Sequence, residues 1–192
     1  MRGRKTSNTQ EQQDQFTGNC RYLGLKLLAD EYRQIVDRAN ENTLGYYEFI
    51  SGIVQAEAVN KQQRHIEYLV KTSRLPQPCK LLADFDFDFQ PKLNRKLIME
   101  LASLRFIEKG ESILFLGDNG TGKSHLAQSI ALLACQGEYK THYTTCSELI
   151  IDLNSGVYEK TLDKRMRKYI NPQLLLIDEM GHDRLELQVV KE

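Results

Sequence analysis

Gly117-Asp118-Asn119-Gly120-Thr121-Gly122-Lys123-Ser124 fits the pattern G-x-x-x-x-G-K-[ST]. It stands between the apolar run Ile113–Leu116 and a stretch of helical periodicity reaching about Cys135, the strand-to-helix context this pattern requires. A loop that wraps phosphate needs backbone N–H groups turned inward, and Gly120 and Gly122 permit a path that a Cβ would obstruct. The next helix turns its positive end toward the anion. Lys123 is placed to reach the β- and γ-phosphates and the Ser124 hydroxyl to ligate Mg²⁺. His125 falls in the first helical turn, where it either stacks near the nucleotide or packs as an ordinary histidine.

Working outward, Leu174-Leu175-Leu176-Ile177-Asp178-Glu179 is an apolar run ending in two carboxylates, with Asp178 lying 55 residues beyond Lys123. Four consecutive large apolar residues predict a strand buried on both faces, as parallel sheets require. Asp178 at its end is placed to hold the Mg²⁺ shell, and Glu179 to orient and deprotonate a water attacking the γ-phosphate. Together with the loop, this predicts binding of a nucleotide with Mg²⁺, and the adjacent glutamate favours hydrolysis. His182 lies close behind, as a γ-phosphate sensor or as structure.

The remaining pattern sets these motifs in a fold. Strand signals at Ile113–Leu116, Thr141–Thr144 and Leu174–Ile177 alternate with helical stretches, one of them opened by the capping box Thr145-Cys146-Ser147-Glu148. Such alternation predicts an α/β domain with a parallel sheet over residues 93–192. Ahead of it, Leu25, Leu28, Tyr32, Ile35, Val36 and Ala39 recur at helical spacing, and a second helix is expected from Tyr46 to Thr72. Joined by Asn40–Thr43, these predict a small all-helical region over 19–75. Residues 1–18 are too polar to bury and are expected as a mobile arm.

Pro76 and Pro78 open a linker over 76–92. Within it Asp84-Phe85-Asp86-Phe87-Asp88-Phe89 alternates with a period of two and is expected to be extended, its rings packed on the next domain rather than its carboxylates holding a metal. A helix is expected from Asn94 to Lys109, closed by Gly110.

The chain's 192 residues carry 26 Lys plus Arg against 26 Asp plus Glu, so net charge does not announce a nucleic-acid binder. Residues 1–80 hold 12 basic and 9 acidic side chains and residues 81–192 hold 14 and 17, a mild asymmetry. The densest basic run, Lys160, Lys164, Arg165, Arg167 and Lys168, is either a solvated helix face or a contact to DNA phosphates. The apolar run Ile130–Cys135 is far below the ~20 residues of a membrane span. With a polar start lacking a leader's apolar core and no C-x-x-C among four cysteines, the expected place is the cytoplasm, with free thiols.

At residue level the chain resembles the IstB-like ATP-binding proteins, transposition helpers close to the DnaC helicase loaders within the AAA+ ATPases. The resemblance rests on the loop continued as His125-Leu126-Ala127, on Tyr143-Thr144-Thr145 followed by Ser147-Glu148-Leu149, and on Leu175 to Gly181. Upstream it rests on Leu23-Gly24-Leu25, Tyr46-Tyr47-Glu48-Phe49-Ile50, Glu57 between two alanines, Asp84 to Phe87 and Phe106 to Glu111. It implies a P-loop NTPase with an AAA+/RecA-like parallel sheet that binds ATP, Mg²⁺ and duplex DNA, assembles with its own copies when ATP is present, and presents target DNA to a transposase. It carries over Lys123 and Ser124 as phosphate and Mg²⁺ ligands, Asp178 as the Mg²⁺ carboxylate and Glu179 as the catalytic base.

The family pattern also implies the sheet order 5-1-4-3-2, in which the strand between the P-loop strand and the Asp-Glu strand comes from later chain. Only 14 residues lie beyond Asp178, so the core is expected to be C-terminally incomplete, with weak nucleotide binding and little hydrolysis. Two alternatives stand beside the transposition helper: a loader that grips a replicative helicase, and a non-hydrolysing truncated adaptor.

Overall fold

A computed structural model of the chain describes residues 3–180, with side chains from residue 10 onward. They fall into two compact units that divide the chain between His65 and Ile66.

The first unit is helical. Helix α1 spans Gly3–Tyr22, α2 spans Lys26–Glu41, and α3 spans Tyr46–Thr72, its first part belonging here. The turn after α1 is a Schellman closure: Leu25 N donates to Cys20 O and Gly24 N to Arg21 O, with Gly24 at φ 77°. The polar stretch expected as an arm is therefore helical from Gly3. Bonds one turn apart support it, such as Thr17 Oγ1 to Gln13 O at 2.9 Å, while Phe16 meets the Tyr32 ring edge-on at 5.3 Å and Cys20 is buried. A helix with so little apolar stripe of its own depends on the α2 face it packs against. Buried Glu57 of α3 accepts Leu28 N at 2.6 Å, so a carboxylate from a distant part of the sequence caps the first turn of α2.

The second unit carries the loop. The end of α3 packs Leu69, with Leu75 beyond it, on Ala131, Leu132 and Cys135 of α6 (Lys123–Gln136). A single 3-10 turn covers Leu82–Asp84, and beyond Phe85, whose backbone is extended, the chain bends over residues 87–89. Asp86 Oδ1 accepts Asp88 N at 2.9 Å and Phe89 N at 3.2 Å, an Asx turn that removes the alternation the sequence suggests. Phe85 packs edge-on against Phe87, whereas Phe89 is exposed. No group of three or more potential metal ligands occurs among the described residues.

The expected Asn94–Lys109 helix is two, α4 (Arg95–Ala102) and α5 (Arg105–Lys109). Asn94 caps the first at Leu97 N, Gly110 closes the second, and the break lies at Leu104, whose φ is 64°.

After α6 come β1 (Thr141–Thr145), α7 (Cys146–Tyr158), α8 (Leu162–Ile170) and β2 (Leu174–Asp178). The capping box at Thr145 and Glu148 is formed in both directions. β1 and β2 pair in parallel, with Thr141 opposite Leu174 and Thr145 opposite Asp178. Among the described residues this is the whole sheet, and the expected strand Ile113–Leu116 is outside it. A strand exists by its ladder. Here residues 112–115 and β2, with Ala127 and Ile130 of α6, line one cleft of about 990 Å³. Leu114 and Leu116 are accordingly exposed and β2 is only half-buried, not covered on both faces.

Candidate nucleotide-binding site

The P-loop runs from Gly117 to Gly122, with Gly120 at φ 78° and Gly122 at φ 86°, both left-handed. Gly122 is also the N-cap of α6 and no side chain caps that helix, which leaves the helix end open toward an anion. A Cβ at Gly122 would lie 2.6 Å from Phe85 Cε2, so the ring walls the loop at that point. Lys123 Nζ donates to Gly117 O at 2.8 Å and Asp118 O at 2.7 Å, folding the cation over the carbonyls of its own loop. Thr121 Oγ1 donates to Asp118 O at 2.8 Å. Asn119 and Gly120 line the same cleft as Ser124 and Asp178.

The two sequence motifs meet at Ser124 and Asp178. The start of α6 and the end of β2 bring Ser124 Oγ to 2.8 Å from Asp178 Oδ1, across 54 residues of sequence. Two hard oxygen donors in contact beside a phosphate loop suit Mg²⁺, which takes one or two protein oxygens and keeps water for the rest of its octahedron. Asp178 has further partners. Gln128 Nε2 donates to Oδ2 at 3.2 Å and the Tyr143 hydroxyl does so at 3.4 Å, while Oδ1 also accepts Glu179 N at 2.9 Å. Burial first, then the charges of Asp178 and Glu179, push the Tyr143 hydroxyl up to about 12, so it stays protonated as a donor. Glu179 is exposed and its backbone is left-handed at φ 59°, so the chain turns sharply immediately after Asp178.

His125 lines the same cleft as the loop. Its Nε2 meets Leu81 O at 2.8 Å, which puts the proton on that nitrogen, and its ring stands edge-on to Phe85 at 5.3 Å. His182 lies outside the described residues.

The basic run divides. Arg165 pairs with Asp152 and with Glu159, and Lys168 Nζ with Asp152 Oδ2 at 3.0 Å; the Tyr169 hydroxyl completes the set on Asp152. These bonds, Tyr169's first and then Lys168's, hold Asp152 far below the usual carboxylate range. Lys160, Lys164 and Arg167 are exposed.

Gln128 belongs to none of the motifs, and Tyr143 enters only within the Tyr143-Thr144-Thr145 stretch, with no role at the site. Their signal in the sequence is positional: Gln128 is one helical turn beyond Ser124, and Tyr143 shares a sheet face with Thr145, the partner of Asp178.

A glycine loop between an extended segment and a helix, closed onto an acidic strand end, defines a P-loop nucleotide-binding protein. The chain belongs to the family of IstB-like ATP binding proteins, whose model matches residues 18–191. It is 39% identical over 167 residues to a protein named for ATP binding in insertion sequence IS5376 of Geobacillus stearothermophilus, covering 87% of this chain and 66% of that one. Its identity to the counterpart from IS232 of Bacillus thuringiensis subsp. berliner is 36% over 168 residues, covering 88% and 67%. For the counterpart from IS21 of Pseudomonas aeruginosa it is 32% over 160 residues, covering 83% and 60%. The chain thus spans about two thirds of the length of these relatives. No helix among the described residues is long and apolar enough to cross a membrane.

Proposed function

We propose that the chain is the ATP-binding helper of an insertion sequence, holding ATP with Mg²⁺ at the P-loop, binding duplex DNA and presenting it to a transposase. The observation that carries the nucleotide part is the 2.8 Å contact of Ser124 with Asp178 beside the glycine loop. Lys123 exchanges the Gly117 and Asp118 carbonyls for phosphate oxygens, and the open end of α6 supplies N–H donors to the same anion. Ser124 and Asp178 would hold Mg²⁺, which when bound neutralises charge at the β- and γ-phosphates. Glu179 is the general base: its side chain is exposed beside Asp178, free to accept a proton from an attacking water.

The DNA part is supported by the exposed Lys160, Lys164 and Arg167, cations suited to a phosphate backbone without reading its sequence. Family membership and insertion-sequence relatives favour a transposase as partner. Assembly with further copies in the presence of ATP belongs to the same reading.

The test is a pair of titrations on the chain, one with a fluorescent ATP analogue and one with nonspecific duplex DNA, each with and without Mg²⁺, followed by a pull-down against the transposase encoded beside it. Saturable nucleotide binding that Lys123→Ala reduces at least tenfold is expected. A Lys123→Ala variant that binds as the parent does refutes the nucleotide reading, and absence of DNA binding at low salt refutes the helper role.

A further inference from the structure

Carboxylates that hold divalent cations are oriented by what their other oxygen does. Asp178 has one oxygen on the P-loop side, Oδ1 against Ser124, and one turned inward, Oδ2, where two donors from different elements converge. Gln128 comes from α6, one turn after Ser124, so a single helix face supplies both Ser124 Oγ to Oδ1 and Gln128 Nε2 to Oδ2. Tyr143 comes from β1, and its position is fixed at the backbone, where its N–H donates to Ser73 O at 2.7 Å. Both side chains are half-buried.

The chemistry of this pair matters. A carboxylate turns readily about its terminal torsion, which is broad and nearly two-fold, so the contacts of Ser124 and Glu179 N at Oδ1 alone do not fix its plane. Donors on both oxygens do. An arginine or lysine at Oδ2 would orient the group as well, but would cancel its charge and repel a dication. An amide and a phenol donate while leaving the full negative charge for the cation.

We infer that Gln128 and Tyr143 are positioning residues for a divalent cation, fixing the Asp178 carboxylate through Oδ2 so that Oδ1 is held beside Ser124. The inference rests on the Mg²⁺–nucleotide reading above and deepens it, assigning to two further residues the orientation of the proposed metal ligand.

The experiment is a fluorescence titration of the chain with methylanthraniloyl-labelled adenylyl imidodiphosphate, in EDTA and at rising Mg²⁺, for the parent, Gln128→Met, Tyr143→Phe and the double variant. The Mg²⁺ concentration at half-maximal enhancement is expected to rise several-fold in each single variant and about tenfold or more in the double. Affinity in EDTA should stay within about twofold of the parent. Variants with the parent's Mg²⁺ dependence overturn the inference. So does an equal loss with and without Mg²⁺, which marks both residues as mere supports of the loop. A parent that binds nucleotide with no response to Mg²⁺ removes the metal reading and the inference with it; a parent that binds no nucleotide removes the nucleotide reading as well.

Discussion

The Phe85 ring occupies the space where Gly122 would carry a Cβ, with Cε2 2.6 Å from that position. An aromatic ring flanked by His125 and Phe87 has little room to yield.

Gly122→Ala therefore meets two obstacles, the ring and a left-handed φ of 86° that costs an alanine about 1–2 kcal/mol. The variant should melt lower than the parent and lose nucleotide affinity. Adding Phe85→Ala should recover only part of the loss, since it clears the space and leaves the backbone strain. Melting curves and nucleotide titrations of both variants check this, and a Gly122→Ala chain as stable as the parent refutes it.

His142 is buried with Nε2 lacking a hydrogen-bond partner, and its ring lies edge-on to Tyr169 at 5.6 Å. Burial, then Lys168 and Arg74, lower its pKa from 6.5 against the opposing pull of Glu148 and Asp152. The unfolded chain thus binds this proton at a higher pH than the folded one. The resulting stability is fully present above about pH 6.5 and is lost as pH falls toward the folded-state value. His142→Phe should flatten the melting temperature between pH 7 and pH 5.5; an unchanged slope counts against the assignment.

Asp152 is shifted in the same direction, downward, by bonds from Tyr169 and Lys168. Its contribution is present above the unfolded-state value of 3.8 and fades as pH falls below it. Asp152→Asn should cost about 2 kcal/mol at neutral pH, the scale of hydrogen bonds to a charged group. The gap between parent and variant should narrow in acid, and denaturant unfolding at pH 7 and pH 3.5 measures it.

The basic side chains of the α7–α8 hairpin should separate into two kinds. Replacing Lys160, Lys164 and Arg167 by alanine should weaken duplex DNA binding and flatten its salt dependence while leaving the melting temperature within a degree or two. Arg165→Ala should lower the melting temperature by breaking its bonds to Asp152 and Glu159. A triple variant that binds DNA as tightly as the parent removes these residues from the DNA contact.

Most of the second unit's order was legible because its signals are local. The loop glycines, the capping box at Thr145 and the apolar strand 174–178 each declare a backbone shape from a few adjacent residues, and α3 begins and ends where its periodicity does. The features that escaped are set by partners distant in sequence. Helix α1 is polar and takes its support from α2; the Asp/Phe alternation yields to an Asx turn; Ile113–Leu116 has strand composition without a ladder. At the site, Ser124, Asp178 and Lys123 follow from motif. Gln128 and Tyr143 become visible only once α6, β1 and β2 are placed side by side. His125 shows the same dependence, its ring turned to Leu81 and Phe85, which no spacing announces.

Because β2 is bonded along one side only among the described residues, its other row of amides and carbonyls stands open beside the exposed Leu114 and Leu116. A row of that kind recruits any strand that arrives. In a test tube the recruit is another molecule of the same sequence, so self-association of this chain should rise with its concentration, and a charged substitution at Leu114 should lower it.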